Sequence, residues 1–195
     1  MGQTMILWEK GHEGGITRPM NKVKAFDNLR DAYDILIKHG VKCCLFCGTL
    51  LGIYRDNDFI SYDDDVDIWA DTTTLQNRVK IEDELRQVGF YVPPMGDKDK
   101  PVDPKTNAPF SDTVAIRNGE KVEIWWFAKI GNQYVYDIYR QPPCIKHDEK
   151  YYHDFPQVIF KGKLFNVPHY TEEYVALLYG FDWRIPQKGK KYANS

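Results

Sequence analysis

The stretch GTLLGIYRDNDFISYDDDVDIWAD, Gly48 to Asp71, decides the fold. Between Asp56 and Asp71 it holds seven aspartates and no lysine or arginine, yet apolar residues thread through it. A solvated acidic loop has no use for Val66-Asp67-Ile68-Trp69. In a β-strand, side chains at i and i+2 share a face. Asp65 and Asp67 therefore point the same way, about 6.6 Å apart along the backbone, and Val66 and Ile68 turn to the core. Two ionised carboxylates so close repel, and burial raises the cost of each. A divalent cation relieves both problems, because hard cations take carboxylate oxygens as ligands. Magnesium uses one or two protein carboxylates and fills its other positions with water and phosphate oxygens, the arrangement of a phosphoryl- or nucleotidyl-transfer site. Asp-x-Asp alone also suits a solvated acidic edge.

Two further features favour a site. Gly48-Thr49 stands at the end of an apolar strand and before a helix start, where exposed backbone N–H groups meet phosphate oxygens and glycine permits close approach. An ordinary tight turn would read the same in isolation. Glu123, in KVEIWWF, is an acid flanked by Val122 and Ile124 in a strand that otherwise reads as core. An unpaired buried carboxylate is costly, so a place beside Asp65 and Asp67, as a third metal ligand or as a base, accounts for it. The alternative is an edge-strand glutamate facing solvent.

Outward from this core, residues 1–19 read as a flexible lead-in and 20–195 as a single domain. Phe26, Leu29, Tyr33, Leu36 and Ile37 recur at helical spacing, with Gly40 placed to stop the helix. VKCCLFC (41–47) reads as a buried strand, Gly48 to Tyr54 as a turn entering a short helix, and DVDIWA as a second strand. Thr73 with Gln76 predicts a capping box for a helix running to Val88. Residues 92–112 carry five prolines and predict a long loop, a candidate lid. TVAIR, KVEIWWFAKI and QYVYDIY alternate as antiparallel strands, with hairpin turns at Asn118-Gly119 and Gly131-Asn132. QVIFKG and KLFNVP form a strand pair, and a helix spans Thr171 to Tyr179. The order predicts an α+β fold around a mixed sheet flanked by helices.

Composition narrows the class. Of 195 residues, 43% are apolar, enough for one well-packed domain. With 26 basic and 28 acidic side chains the net charge is −2, which argues against a nucleic-acid partner. No apolar run approaches the roughly 20 residues of a transmembrane segment, and no signal-peptide core is evident. Cys43, Cys44 and Cys47 crowd one apolar run and read as buried free thiols, with metal or redox chemistry at the Cys44-x-x-Cys47 pair as the alternative. A reducing, cytoplasmic setting is expected. His147, His153 and His169 lack ligand spacing and read as solvent-exposed or locally bonded. Trp125 and Trp126 take opposite faces, so either one packs inside while the other lines the pocket, or both are core or interface aromatics. Asp182-Trp183-Arg184 is placed to close over the site, and Lys188, Lys190 and Lys191 read as a solvated tail.

Gly-(Ser/Thr), an acid-x-acid strand and an apolar-acid-apolar strand together resemble the nucleotidyltransferase superfamily, the polymerase-β-like fold. Within it, GTLLGIYRDNDFISYDDDVDI resembles the LicD family, with its G-T-L-L-G-x-x-R followed by I-P-W-D-D-D-x-D-I. Ser61-Tyr62 stands where Pro-Trp is usual, and Glu123 where Asp is usual. The closing YGFDWRIP also resembles that family, and the likeness spans roughly Phe26 to Pro186. LicD-like enzymes, including the fukutin-related group, transfer phosphocholine, ribitol phosphate or glycerol phosphate from a CDP-linked donor to a sugar hydroxyl. The resemblance implies that Gly48 and Thr49 contact donor phosphates, and that Asp65, Asp67 and Glu123 hold Mg²⁺ or Mn²⁺. Strand alternation puts Asp63 on the face of Asp65, where it assists, and turns Asp64 away; the resemblance implies that Arg55 pairs with phosphate or braces the aspartates. A glycan or lipid-linked saccharide would be the acceptor. The rivals are transfer of a nucleoside monophosphate from an NTP and a non-catalytic nucleotide- or glycan-binding module.

Overall fold

In the computed structural model, which describes residues 18–93, 112–136 and 145–187, Asn21 opens helix α1 (Lys22–Lys38). Its side chain accepts from the N–H groups of Val23 and Lys24. The stripe Ala25, Leu29, Ala32, Tyr33 and Leu36 is buried, and Gly40, at φ +70°, ends the helix as predicted. α1 packs against strands β1 (Cys43–Leu45), β2 (Asp65–Asp71) and β4 (Glu120–Ile130). Its one fully buried polar residue, Asn28, donates to the carbonyl oxygens of Arg117 and Glu120. The Arg117 guanidinium donates in return to Asn28 Oδ1 and Asp31. The helix thus satisfies the backbone of the turn between β3 (Thr113–Arg117) and β4.

The elbow after β1 differs from expectation. The strand stops at Leu45, and helix α2 (Cys47–Asp56) begins at the last residue of the expected strand and takes in the expected turn. Cys47 sits at φ +41° in the left-handed region, a conformation that costs a non-glycine residue about 1–3 kcal/mol. That kink starts the helix directly at the strand end and puts Gly48 and Thr49 in its first turn. Apolar composition hid the boundary, since CCLFC suits a strand throughout.

The six-stranded sheet runs β1-β2-β4-β5-β6, with β3 also on β4; β5 is Gln133–Val135 and β6 Lys146–Asp148. β2 and β4 are parallel and every other pair is antiparallel, so the sheet is mixed, as expected of the α+β class. The connection from β2 carries helix α3 (Leu75–Gln87). Thr74 caps it rather than Thr73, accepting from the Asn77 N–H; the Thr73 hydroxyl accepts instead from Asn77 Nδ2. Asn118-Gly119, both at positive φ, and Gly131-Asn132 make the predicted hairpins. A separate hairpin of β7 (Gln157–Phe160) and β8 (Lys163–Asn166) lies against β1, and α4 (Thr171–Tyr179) follows it.

The core corrects one histidine. His147 is fully buried, not solvent-exposed; its Nδ1 meets the hydroxyls of Tyr152 and Tyr174. Burial pushes its pKa down to about 3, so it stays neutral. His153 and His169 lie together, rings 4.6 Å apart, each bonded within the Asp154 region as predicted. Cys43, Cys44 and Cys47 are all buried, and Cys43 and Cys44 are free cysteines. Burial pushes the Cys43 thiol up to about 12 and Cys44 well above its ordinary value, which leaves them as inert hydrophobes. Among the described residues, the groups close enough to hold a metal ion are all carboxylates. No described helix is long and apolar enough to cross a membrane. The lead-in before Arg18, the loop at 94–111, Cys144, the strand beyond Tyr136 and the tail lysines lie outside the described residues.

Candidate active site

The acids gather where β1 ends and β2 and β4 begin. In the parallel ladder Asp67 lies opposite Glu123 and Asp65 opposite Lys121. One carboxylate oxygen each from Asp65, Asp67 and Glu123 falls within 4.8 Å of the others. β4 is an interior strand here, flanked by β2 and β3, so Glu123 is not the solvent-facing edge glutamate of the alternative. It is 5% exposed and Asp67 6%.

Each acid is held from the backbone upward. The Thr49 hydroxyl, itself buried, accepts from the Asp67 N–H at 2.9 Å. The Phe46 N–H donates to the Asp67 carbonyl oxygen. Thr49 therefore ties α2 to β2 and sets the height of Asp67, a positioning role that its spacing in the sequence did not disclose. Trp125 donates its indole N–H to Asp67 Oδ1 at 2.9 Å, while Trp126 faces the other way, fully buried against Thr113 and Arg78. The two tryptophans do take opposite faces, but Trp125 packs half-buried against the core beside Asp67 and does not line the pocket beside Gly48. Lys121 Nζ sits 2.9 Å from Asp65 Oδ2 and 2.8 Å from Glu123 Oε1.

Asp63 and Asp64 precede the strand, so alternation does not govern them. Asp64 does not point away: its carboxylate joins those of Asp63 and Asp65 within 4.8 Å. Asp63 lies against Gly48, where an added Cβ would come 2.3 Å from Asp63 Oδ2. Glycine at 48 thus lets that acid lie against the helix start, and a larger residue would make the Asp63 carboxylate swing away. Beside this contact a pocket of about 180 Å³ is lined by Gly48, Arg55, Tyr62, Asp63, Tyr179 and Trp183. Arg55 grips the Asp56 carboxylate and donates to the Trp183 carbonyl oxygen at 3.1 Å. It braces the pocket wall rather than the paired aspartates; of the segment Asp182-Trp183-Arg184, Asp182 and Trp183 line this pocket, while Arg184 pairs with Glu172.

The donor set suits a hard divalent cation. Three carboxylates and one ammonium share a buried corner, and with all three acids ionised they carry two negative charges, all on oxygen. The protonation equilibria register the crowding. Burial, then Asp65 and Asp64, push Asp63 up to about 7. Burial first, then Asp65 and Glu123, raise Asp67 well above the carboxylate range.

A pH dependence follows. A folded pKa above the unfolded one contributes stability below the ordinary carboxylate pKa, and that stability is lost as pH rises through the folded value. In chelator, the melting temperature should fall between pH 5 and pH 8. The expected loss is about 2 kcal/mol after discounting for screening, or about 6 °C. Saturating Mg²⁺ should remove most of it, since the cation binds the ionised acids. Melting curves at both pH values with EDTA and with Mg²⁺ check this; equal slopes in the two would contradict it.

A family model described as LicD/FKTN/FKRP, nucleotidyltransferase domain, matches residues 40–170. Among solved structures, the solution structure of the antibiotic-resistance factor ANT(2'')-Ia is similar at 12% identity. It has a TM-score of 0.47 and covers 80% of this chain and 73% of that one. The crystal structure of ANT(2")-Ia with adenylyl-2"-tobramycin is similar at 10% identity, with a TM-score of 0.43, covering 78% and 75%. No curated protein matches. The family match takes in the Gly48-Thr49 elbow, the aspartates, Glu123 and most of the sheet, and the chain belongs to the LicD/FKTN/FKRP family.

Proposed function

We propose that this chain is a divalent-cation-dependent transferase that moves a phospho-substituent, namely phosphocholine, ribitol phosphate or glycerol phosphate, from a CDP-linked donor to a hydroxyl of a glycan or lipid-linked saccharide. The observation that carries the reading is the convergence of Asp65, Asp67 and Glu123 from two paired strands onto one point. Family membership supports the choice of a nucleotide-linked donor.

Asp65, Asp67 and Glu123 would hold Mg²⁺ or Mn²⁺, which when bound neutralises charge on the transferring phosphoryl group. The chain's own residues do the rest. Thr49 and Trp125 lock Asp67 in place, so its oxygens need no reorganisation. The first turn of α2, at Gly48, presents backbone toward the pocket, and Tyr62, Tyr179 and Trp183 offer aromatic faces for one ring of the donor. Arg55 keeps the Trp183 segment over that pocket. Glu123 or a neighbouring acid takes the proton of the attacking hydroxyl.

Incubation with CDP-ribitol, CDP-glycerol or CDP-choline, Mg²⁺ and a saccharide acceptor should release CMP from at least one donor. Pyrophosphate from an NTP with no CMP from any CDP donor would favour transfer of a nucleoside monophosphate. Binding of donor with no turnover of either class would favour a binding module.

A further inference from the structure

Lys121 stands two residues before Glu123 on the same face of β4 and opposite Asp65 across the ladder. Its ammonium contacts Asp65 Oδ2 at 2.9 Å and Glu123 Oε1 at 2.8 Å. These carboxylates are two of the three that converge within 4.8 Å. The lysine side chain is 17% exposed, so this is a fixed part of the site rather than a solvated surface charge. An ammonium is a compact point charge with three donors, and it takes the same carboxylate lone pairs that a hard divalent cation takes. The two cannot share them fully. Asp67, the third acid, accepts instead from the neutral Trp125 N–H, and among the described residues no cation pairs with it.

We propose that Lys121 is an intramolecular counter-ion of the cation site: its ammonium holds Asp65 and Glu123 together and gives way when a divalent cation binds, so that this lysine sets the affinity for metal. The inference rests on the cation reading above. It accounts for why an acid cluster this buried carries a lysine in its midst, where a charge retained only for substrate would have no reason to bond both acids at once. It also gives the site a released ammonium at the moment the acids are engaged. That ammonium stands on a flexible four-carbon stem beside the converging acids, so once released it can pair with an anionic oxygen of a donor.

The test measures Mn²⁺ binding by the loss of the free-ion electron paramagnetic resonance signal, in wild type, Lys121→Met, Lys121→Gln and Lys121→Arg. Removing the positive charge should tighten Mn²⁺ binding by about tenfold, a modest fraction of what a full charge a few ångströms away exerts. Lys121→Arg, which keeps the charge, should stay near wild type. In chelator, the Met and Gln variants should melt several degrees lower at pH 8, and Mn²⁺ should restore more stability to them than to wild type. If neither variant folds in chelator, refolding in Mn²⁺ should rescue both, and failure of rescue overturns the proposal. Unchanged or weaker Mn²⁺ binding in the neutral variants also overturns it while leaving the cation reading intact. No Mn²⁺ uptake by any of the four proteins overturns both.

Discussion

Replacing Asp67 by Asn is expected to cut turnover at least about 1,000-fold, equivalent to about 4 kcal/mol, without unfolding the protein. Asn has the same shape, and its side-chain oxygen still accepts from Trp125 Nε1. The backbone N–H still donates to Thr49. What disappears is a negative charge at the centre of the acid cluster, and a missing charged ligand removes several kcal/mol of transition-state stabilisation at such a site. Stability should move the other way. Burial and the neighbouring acids raise the Asp67 pKa, so at pH 8 its ionisation works against the fold, and a neutral amide removes that penalty. In chelator at pH 8 the variant should melt about 3 °C higher than wild type, roughly 1 kcal/mol for a domain of this size, and should gain little from Mg²⁺. Steady-state CMP release with the active donor, alongside melting curves with and without Mg²⁺, measures both halves. Turnover within tenfold of wild type, or a full Mg²⁺ gain, would remove Asp67 from the site.

That acid was legible in the sequence because three signals agreed. An aspartate between Val66 and Ile68 contradicts burial unless something compensates, the i, i+2 rule places it with Asp65, and Glu123 repeats the contradiction in another strand. The side of the sheet on which Glu123 falls follows from register: Asp67 and Glu123 are direct partners in a parallel ladder. The aromatic pair was legible for the same reason, since alternation sends Trp125 and Trp126 to opposite faces. Where alternation stops, the reading failed. Asp63 and Asp64 precede β2, and Asp64 joins the cluster instead of turning away. Thr49 read as a phosphate contact because Gly-Thr at a helix start suits one, but in the structure its hydroxyl is buried under Asp67. That bond joins two elements 18 residues apart, and nothing local encodes such a distance.

Lys121 shows a different failure. Its spacing from Glu123 was available, and the same-face rule applies to KVE as it does to DVD. A lysine in a strand reads as an edge or surface residue, however, and only the pairing of β4 with β2 reveals that its ammonium faces Asp65. His147 failed for lack of pattern. It sits in a three-residue strand, too short for periodicity to show which face is buried, and its partners Tyr152 and Tyr174 come from a turn and from α4. The elbow at Cys47 failed because apolar residues fit either a strand or a buried helix start, and a positive φ at cysteine has no sequence signature.

Gly52→Ala is expected to destabilise the protein by about 2 kcal/mol, against the usual sign for such a change. In an open helix interior alanine is better than glycine by about 1 kcal/mol. Gly52 lies on the buried face of α2, and a Cβ there would come 2.6 Å from the Asp58 carbonyl oxygen and 2.9 Å from the Ile60 N–H nitrogen. Both are backbone atoms, so no side-chain rotation relieves the clash; the helix and the 58–60 segment must separate. Overpacking of this kind costs about 1–3 kcal/mol, which outweighs the gain in propensity. The melting temperature should drop by about 6 °C. The consequence reaches the site, because α2 carries Thr49 beneath Asp67, and the chain beyond Ile60 leads directly to Asp63 against Gly48. Separating the two surfaces should therefore shrink the Mg²⁺-dependent gain in melting temperature as well as the stability itself. A variant that melts at or above wild type would mean that α2 and the acidic segment do not approach as closely as a glycine allows, and the support for Asp63 beside Gly48 would go with it.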